Sequence, residues 1–201
     1  MQPHPAIPAP PDLVSSRVCR IVAMGASAGG LHSLTEVLAH LPDFLPCCIV
    51  IATHMSATHV SILPELLARK SPLPVLPARN GTLEVGTVYV AEPGFHITID
   101  DGRICLVDSP PVRFLRPSIN MLFESVAATA GARAVGVVLS GTGKDGAAGI
   151  SAIKAAGGYT IIEDPEHAEF RDMPLAANRT GCVDSILSLV KISDKLIELC
   201  T

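Results

Sequence analysis

Apolar residues fall along this chain in two rhythms. Short, nearly unbroken runs at Val18–Met24, Cys47–Ala52, Val75-Leu76, Ala134–Leu139 and Tyr159–Ile162, with another near Cys182–Leu187, read as strands covered on both faces. Between them Leu31, Leu34, Val37, Leu38 and Leu41 recur at helical spacing until Pro42. Helices are also expected over Val60–Arg69, from Pro117-Ser118 to about Ala130, over Asp145–Ala156, shortly after Pro174, and from Ser193 onward. Between Gly86 and Val107 the rhythm shortens to β segments at Thr87–Ala91, His96–Asp100 and Arg103–Val107, with Asp101-Gly102 a two-residue hairpin signal. The alternation predicts an α/β fold. It is expected to be a doubly wound, mainly parallel sheet with helices on both faces, a Rossmann-like three-layer arrangement carrying an inserted β-hairpin. Residues 1–16, with Pro at 3, 5, 8, 10 and 11, are expected to form a flexible arm ahead of one domain over 17–201.

Composition narrows the choices. Of 201 residues 48% are apolar, yet only 3% are aromatic and none is Trp, so the core must be aliphatic. The net charge is −4 and no Lys/Arg block occurs, which excludes the clustered cations of nucleic-acid binding. No stretch reaches the ~18 uninterrupted apolar residues of a spanning helix. Met1–Pro11 lacks the basic and apolar regions of a signal peptide, so a cytoplasmic chain without membrane insertion is expected. The six cysteines make no CxxC pair and have no His at zinc spacing. Reduced, mostly buried thiols follow, with no metal and no cofactor.

Chemistry concentrates at three strand ends. Gly25-Ala26-Ser27-Ala28-Gly29-Gly30 joins a strand to a helix, and a GxSxG turn of this kind can present a hydroxyl next to helix-terminal amides able to hold an oxyanion. The competing reading is a Gly-rich loop in which Ser27 merely caps the helix. A dinucleotide fingerprint is disfavoured, because Ser27 stands where Gly is needed and the second strand ends in Thr53-His54 rather than in an acid. His54 falls at the same rim as Ser27, where a neutral imidazole could take the serine proton. Asp145, in Ser140-Gly141-Thr142-Gly143-Lys144-Asp145-Gly146, is expected in the first turn of its own helix, whose dipole would favour a carboxylate able to orient the imidazole.

With Arg116-Pro117-Ser118-Ile119-Asn120 and the stretch from Asp164-Pro165 to Met173-Pro174, these segments resemble the catalytic domain of the CheB-type protein-glutamate methylesterases, over Arg17 to Ile192. The resemblance implies Ser27 as nucleophile, His54 as base and Asp145 as its orienting acid, with amides at Ala28 and Thr142 around the oxyanion. Met173 is expected to pack against the catalytic loop by hydrophobic contact, and Arg116 to lie at the surface flanking a helix, the alternative being a pairing with acidic receptor groups; the likeness of Pro93-Gly94-Phe95-His96 to a family loop allows His96 a minor pocket role. Family members demethylate receptor glutamates and often deamidate glutamines, so the expected partner is the cytoplasmic helical region of methyl-accepting chemotaxis receptors. A weakly active receptor-binding scaffold, or an esterase or amidase for another substrate, are the alternatives. Relatives usually carry an N-terminal phosphoacceptor receiver domain, for which this length leaves no room, so a stand-alone catalytic domain is expected. Three positions depart from the family pattern: Thr142 where many relatives have Met, Asn120 where Asp is frequent, and Asp172 where Gly is frequent.

Overall fold

Along Arg20–Ala26 (β1), Ile21 and Ala23 join one buried layer while Val22, Met24 and Ala26 join another. A strand apolar on both sides must be covered on both sides, and the neighbouring elements do this. The structure, a computed structural model, describes residues 19–54, 61–112 and 114–201. After β1 come α1 (Gly30–Ala39), β2 (Cys47–Thr53), α2 (Leu63–Ala68), β3 (Val75–Pro77), β4 (Gly81–Thr82), β5 (Val88–Val90), β6 (His96–Asp100) and β7 (Arg103–Val107). They are followed by α3 (Ile119–Ala130), β8 (Ala134–Val138), α4 (Ala147–Ala155), β9 (Tyr159–Glu163), α5 (Asp172–Asn178), β10 (Ser185–Leu187) and α6 (Leu189–Cys200). The central sheet runs β10-β9-β8-β1-β2-β5-β3 with every pairing parallel. Side chains of α1, α2 and α6 pack on one face, and those of α3, α4 and α5 on the other.

The hairpin forms as expected, with Asp101 and Gly102 both at positive φ, as a type I′ turn requires. It is no loose insertion. Together with β4 it makes a small antiparallel sheet held against α3, where the Ser125 hydroxyl accepts the Ile99 N–H at 2.9 Å and the Thr129 hydroxyl donates to the Ile99 carbonyl at 2.8 Å. The third segment of that region, Val88–Val90, joins the central sheet instead, between β2 and β3. Several helix starts differ from expectation, α2 among them, which opens at Leu63 with Ser61 and Ile62 outside the helix. α4 opens at Ala147 rather than Asp145, α5 opens at Asp172 with Pro174 inside its first turn, and α6 opens at Leu189 rather than Ser193. The expected arm, Val18, and the first residue of the second helix lie outside the described residues. Among those described, no helix is long and apolar enough to cross a membrane.

Phe123 of α3 is the largest wholly buried side chain and anchors that helix to the sheet. Phe123→Ala is expected to cost about 3–5 kcal/mol of unfolding free energy. The measurement is the urea midpoint at constant m-value; a loss under about 1 kcal/mol would contradict this packing.

Candidate active site

Three neighbouring strands, β8, β1 and β2, end on the same rim. The chain leaves β1 into α1 on one face and leaves β8 toward α4 on the other, which opens a crevice between the two strand ends. Ser27 follows β1 directly, His54 follows β2 directly, and Asp145 lies on the loop between β8 and α4. The three side chains meet: His54 Nδ1 is 3.0 Å from Ser27 Oγ, and His54 Nε2 is 2.9 Å from Asp145 Oδ2. An ionised carboxylate can only accept, so Nε2 carries the proton and donates to Asp145. That leaves the Nδ1 lone pair facing the serine hydroxyl. Only 13% of the His54 side chain and 4% of the Asp145 side chain are exposed, so water screens this chain weakly.

The loop around Ser27 is set by close backbone approaches. Ser27 donates its N–H to the Ser140 carbonyl at 2.9 Å. The N-cap of α1 is Gly29, at φ +73°, and α1 takes no side-chain cap, so Ser27 does not serve as the helix cap. Gly25 has a different task from turn-making. A Cβ there would lie 2.3 Å from Ile119 Cγ2, so only glycine lets the start of α3 settle onto the end of β1.

That settlement delivers the Asp145 cradle. Asp145 stands two residues ahead of α4, not in its first turn, and its carboxylate sits at the N-terminus of α3 instead. It accepts the Ile119 N–H at 2.7 Å, the Asn120 N–H at 3.0 Å, the Gly146 N–H at 3.1 Å and the Ser118 hydroxyl at 3.3 Å. The Ser118 hydroxyl makes no bond to α3 itself, so Asp145 caps that helix from another loop. Burial works against its charge, yet the hydrogen bonds from His54 and the Ile119 and Asn120 amides prevail and hold the carboxyl below its ordinary 3.8.

The other expected residues separate. The Ala28 and Thr142 amides make no hydrogen bond among the described residues; Ala28 follows Ser27 directly, and Thr142 follows Gly141, whose backbone lies against Ser27. Gly141, just before Thr142, lies so near that a Cβ on it would be 2.8 Å from Ser27 Cβ and 2.2 Å from Met173 Sδ. Met173 is fully buried behind Gly141, a support of the loop rather than a pocket wall. Arg116 turns to Asp108, at 2.7 Å, and stacks 5.8 Å from the Phe95 ring centre. His96 is fully buried; its Nδ1 accepts the Ser118 N–H at 3.0 Å and its Nε2 donates to the Pro110 carbonyl at 3.2 Å, so it shapes the approach to α3. Asn120 has a structural part beside the site. Its side-chain oxygen accepts the Gly146 and Gly149 amides at 3.0 and 2.9 Å, tying α3 to the start of α4 without a second negative charge beside Asp145. A groove of about 520 Å³ opens beside Ser27, with Leu31, His32, Thr35 and Glu169 on its walls. Among the described residues no cluster of His, Cys, Asp or Glu suits a metal ion.

The profile of the family described as CheB methylesterase matches residues 22–196. The chain belongs to this family. It is 40% identical over 197 residues to protein-glutamate methylesterase/protein-glutamine glutaminase 3 of Anaeromyxobacter dehalogenans (strain 2CP-C), covering 96% of this chain and 56% of that protein. A methylesterase/glutaminase of Methanospirillum hungatei JF-1 is 37% identical over 203 residues, covering 96% of this chain and 59% of that one. The chain therefore spans a little over half the length of these curated relatives. The crystal structure of the Thermotoga maritima CheB methylesterase catalytic domain superposes with a TM-score of 0.85 at 33% identity, covering 90% of this chain and 98% of that one. This CheB-family domain thus keeps the fold of that catalytic domain.

The carboxyl of Asp145 titrates below its ordinary value in the folded domain, so the folded state binds its proton less readily than the unfolded chain does. Its contribution to stability is complete well above 3.8 and disappears as the pH falls through the depressed folded value. Denaturation of the wild type and Asp145→Asn between about pH 7 and about pH 2 should show a stability gap that is widest near neutrality and closes on acidification. A gap independent of pH would contradict the cradle described above.

Proposed function

We propose that this domain is a carboxylic ester hydrolase that removes methyl groups from glutamate γ-esters, and deamidates glutamines, on the cytoplasmic helical region of methyl-accepting chemotaxis receptors. The observation that carries the reading is the continuous chain from Ser27 Oγ through His54 to Asp145, at 3.0 and 2.9 Å. Family membership, and the methylesterase/glutaminase names of the relatives, supply the substrate class.

The steps follow from the proton positions. Ser27 Oγ attacks the γ-carbonyl carbon while its proton passes to His54 Nδ1. The imidazolium that forms is stabilised by the Asp145 carboxylate at Nε2, and the negative charge developing on the carbonyl oxygen is met by the amides of Ala28 and Thr142, which have no partner among the described residues. Collapse of the tetrahedral adduct breaks the bond to the methoxy oxygen, which leaves as methanol with the proton from Nδ1. Water, deprotonated by the same nitrogen, then attacks the acyl-serine, and the C–O bond to Ser27 breaks as Oγ takes the proton back from Nδ1, leaving a glutamate side chain on the receptor and the serine restored. With glutamine the leaving group is ammonia. Asp145 keeps its own proton off throughout, in line with its four hydrogen-bond donors besides His54.

Methanol release from receptor membranes carrying radiolabelled methyl esters tests the reading. Ser27→Ala should lower kcat by about 10⁴-fold or more, and Asp145→Asn by about 10²–10⁴-fold with the fold retained. A fluorophosphonate should label the wild type at Ser27. Near-normal turnover by Ser27→Ala would sink the hydrolase reading, and an unlabelled but receptor-binding wild type would favour a scaffold.

A further inference from the structure

A second carboxyl is buried at the same rim and has no part in those steps. Glu163 ends β9, beside β8, and is 3% exposed. Its Oε2 accepts the N–H of Ser140 at 2.7 Å. Burial pushes its carboxyl above the ordinary carboxylate range, against the help of the Ser140 amide, the Ser33 hydroxyl and nearby His32. A buried acid held at such cost calls for a reason in the fold around it.

That reason lies in Ser140, which is fully buried and uses every polar group it has. Its N–H goes to Glu163, and its carbonyl accepts the N–H of Ser27 at 2.9 Å. Its hydroxyl donates to the Ala28 carbonyl at 2.9 Å and accepts the Phe170 N–H at 3.0 Å. The next residue, Gly141, donates to the Phe170 carbonyl and accepts from Met173, both at 2.9 Å. Ser140 is therefore the pin between the Ser27–Ala28 turn and the loop that carries Thr142, and Glu163 is the acceptor that holds the pin from below.

We infer that Glu163 is a positioning residue for the hydrolysis, setting through Ser140 the placement of the serine hydroxyl and the Ala28 amide relative to the Thr142 amide. This rests on the hydrolase reading above. Glu163 touches neither the substrate nor the His54 chain, and what it must supply is an oxygen acceptor of the right reach, not a charge. Gln at this position provides the same oxygen, Asp holds it one methylene too far back, and Leu provides none.

The full chain and its Glu163→Gln, Glu163→Asp and Glu163→Leu variants are compared in methanol release from methylated receptor membranes and in the rate of Ser27 labelling by a fluorophosphonate, with circular dichroism to check folding. Glu163→Gln should stay within about threefold of wild type in kcat, while Glu163→Leu should lose about 100-fold in kcat and in labelling rate at nearly unchanged KM. Glu163→Asp should lose about tenfold, and it decides the matter if the Leu variant does not fold. A folded Leu or Asp variant with wild-type kcat overturns the inference, as would equal losses in the Gln and Leu variants. A wild type that is labelled yet releases no methanol faults the proposed substrate, leaving the labelling rates to judge Glu163. A wild type that does neither overturns both readings.

Discussion

The first amide of α3 is buried and the second partly so, and buried backbone donors left without acceptors are rarely tolerated. Nothing in α3 supplies the acceptor, since Ser118 bonds outward instead of back to its own helix. Asp145, reaching in from the β8–α4 loop, supplies it with both oxygens. The bond works in both directions. The helix end gains a cap, and the carboxylate gains donors enough to stay ionised although buried. Once ionised and fixed, the same Oδ2 that meets Ile119 also meets His54 Nε2, which settles the imidazole's tautomer and leaves Nδ1 for Ser27. Helix termination and imidazole orientation are thus a single contact.

Placing that contact at the sheet centre depends on how near the layers can come. β1 is flanked by β2 and β8, so its end is the one point from which both His54 and the β8–α4 loop can be reached. α3 must lie hard against that end for its amides to reach Asp145, and the absence of a side chain at Gly25 permits it. On the other side, Met173 presses the bare backbone of Gly141 toward Ser27. Gly25 and Gly141, on either side of Ser27 in space, are therefore requirements of packing between layers, whereas Gly29 supplies the left-handed conformation of the turn.

Strands buried on both faces were the most legible part of the sequence, because unbroken apolar runs such as Cys47–Ala52 have few other uses in a soluble fold. The hairpin was legible for a local reason, the two-residue Asp101-Gly102 turn. Boundaries failed where the local signal pointed elsewhere. Pro174 resembles a first helical residue but sits inside the first turn of α5, and the apolar run from Ile186 to Val190 crosses from β10 into α6 with only Ser188 between them. The rim positions of Ser27, His54 and Asp145 could be read from strand ends alone. The donors that α3 brings to Asp145 could not, because they come from residues 118–120, some 25 positions earlier, and only the packing of α3 on Gly25 brings them near. Glu163 left no mark either. One acid at the end of a predicted strand looks like a surface residue until its neighbours are known.

The two buried carboxyls at this rim show what decides the state of such a group. Both lose water, and for both that loss is the largest influence, raising the pKa. Asp145 meets two helix-terminal amides and an imidazole, and these more than reverse the loss; Glu163 meets fewer donors, and they do not. The consequences for stability have opposite signs. Asp145 stabilises the fold above its ordinary 3.8 and ceases to do so as the pH drops through its depressed folded value. Glu163 favours the folded state most fully below its ordinary 4.5, and that contribution is lost as the pH rises through its elevated folded value. Acidification therefore removes the charge from the cradle under the imidazole, while it relieves the burial cost of the Glu163 carboxylate and leaves that group a weaker acceptor for Ser140. The proposed hydrolysis needs Asp145 charged, whereas Glu163 has only to go on accepting the Ser140 amide, which either form of the carboxyl can do, the ionised one more strongly.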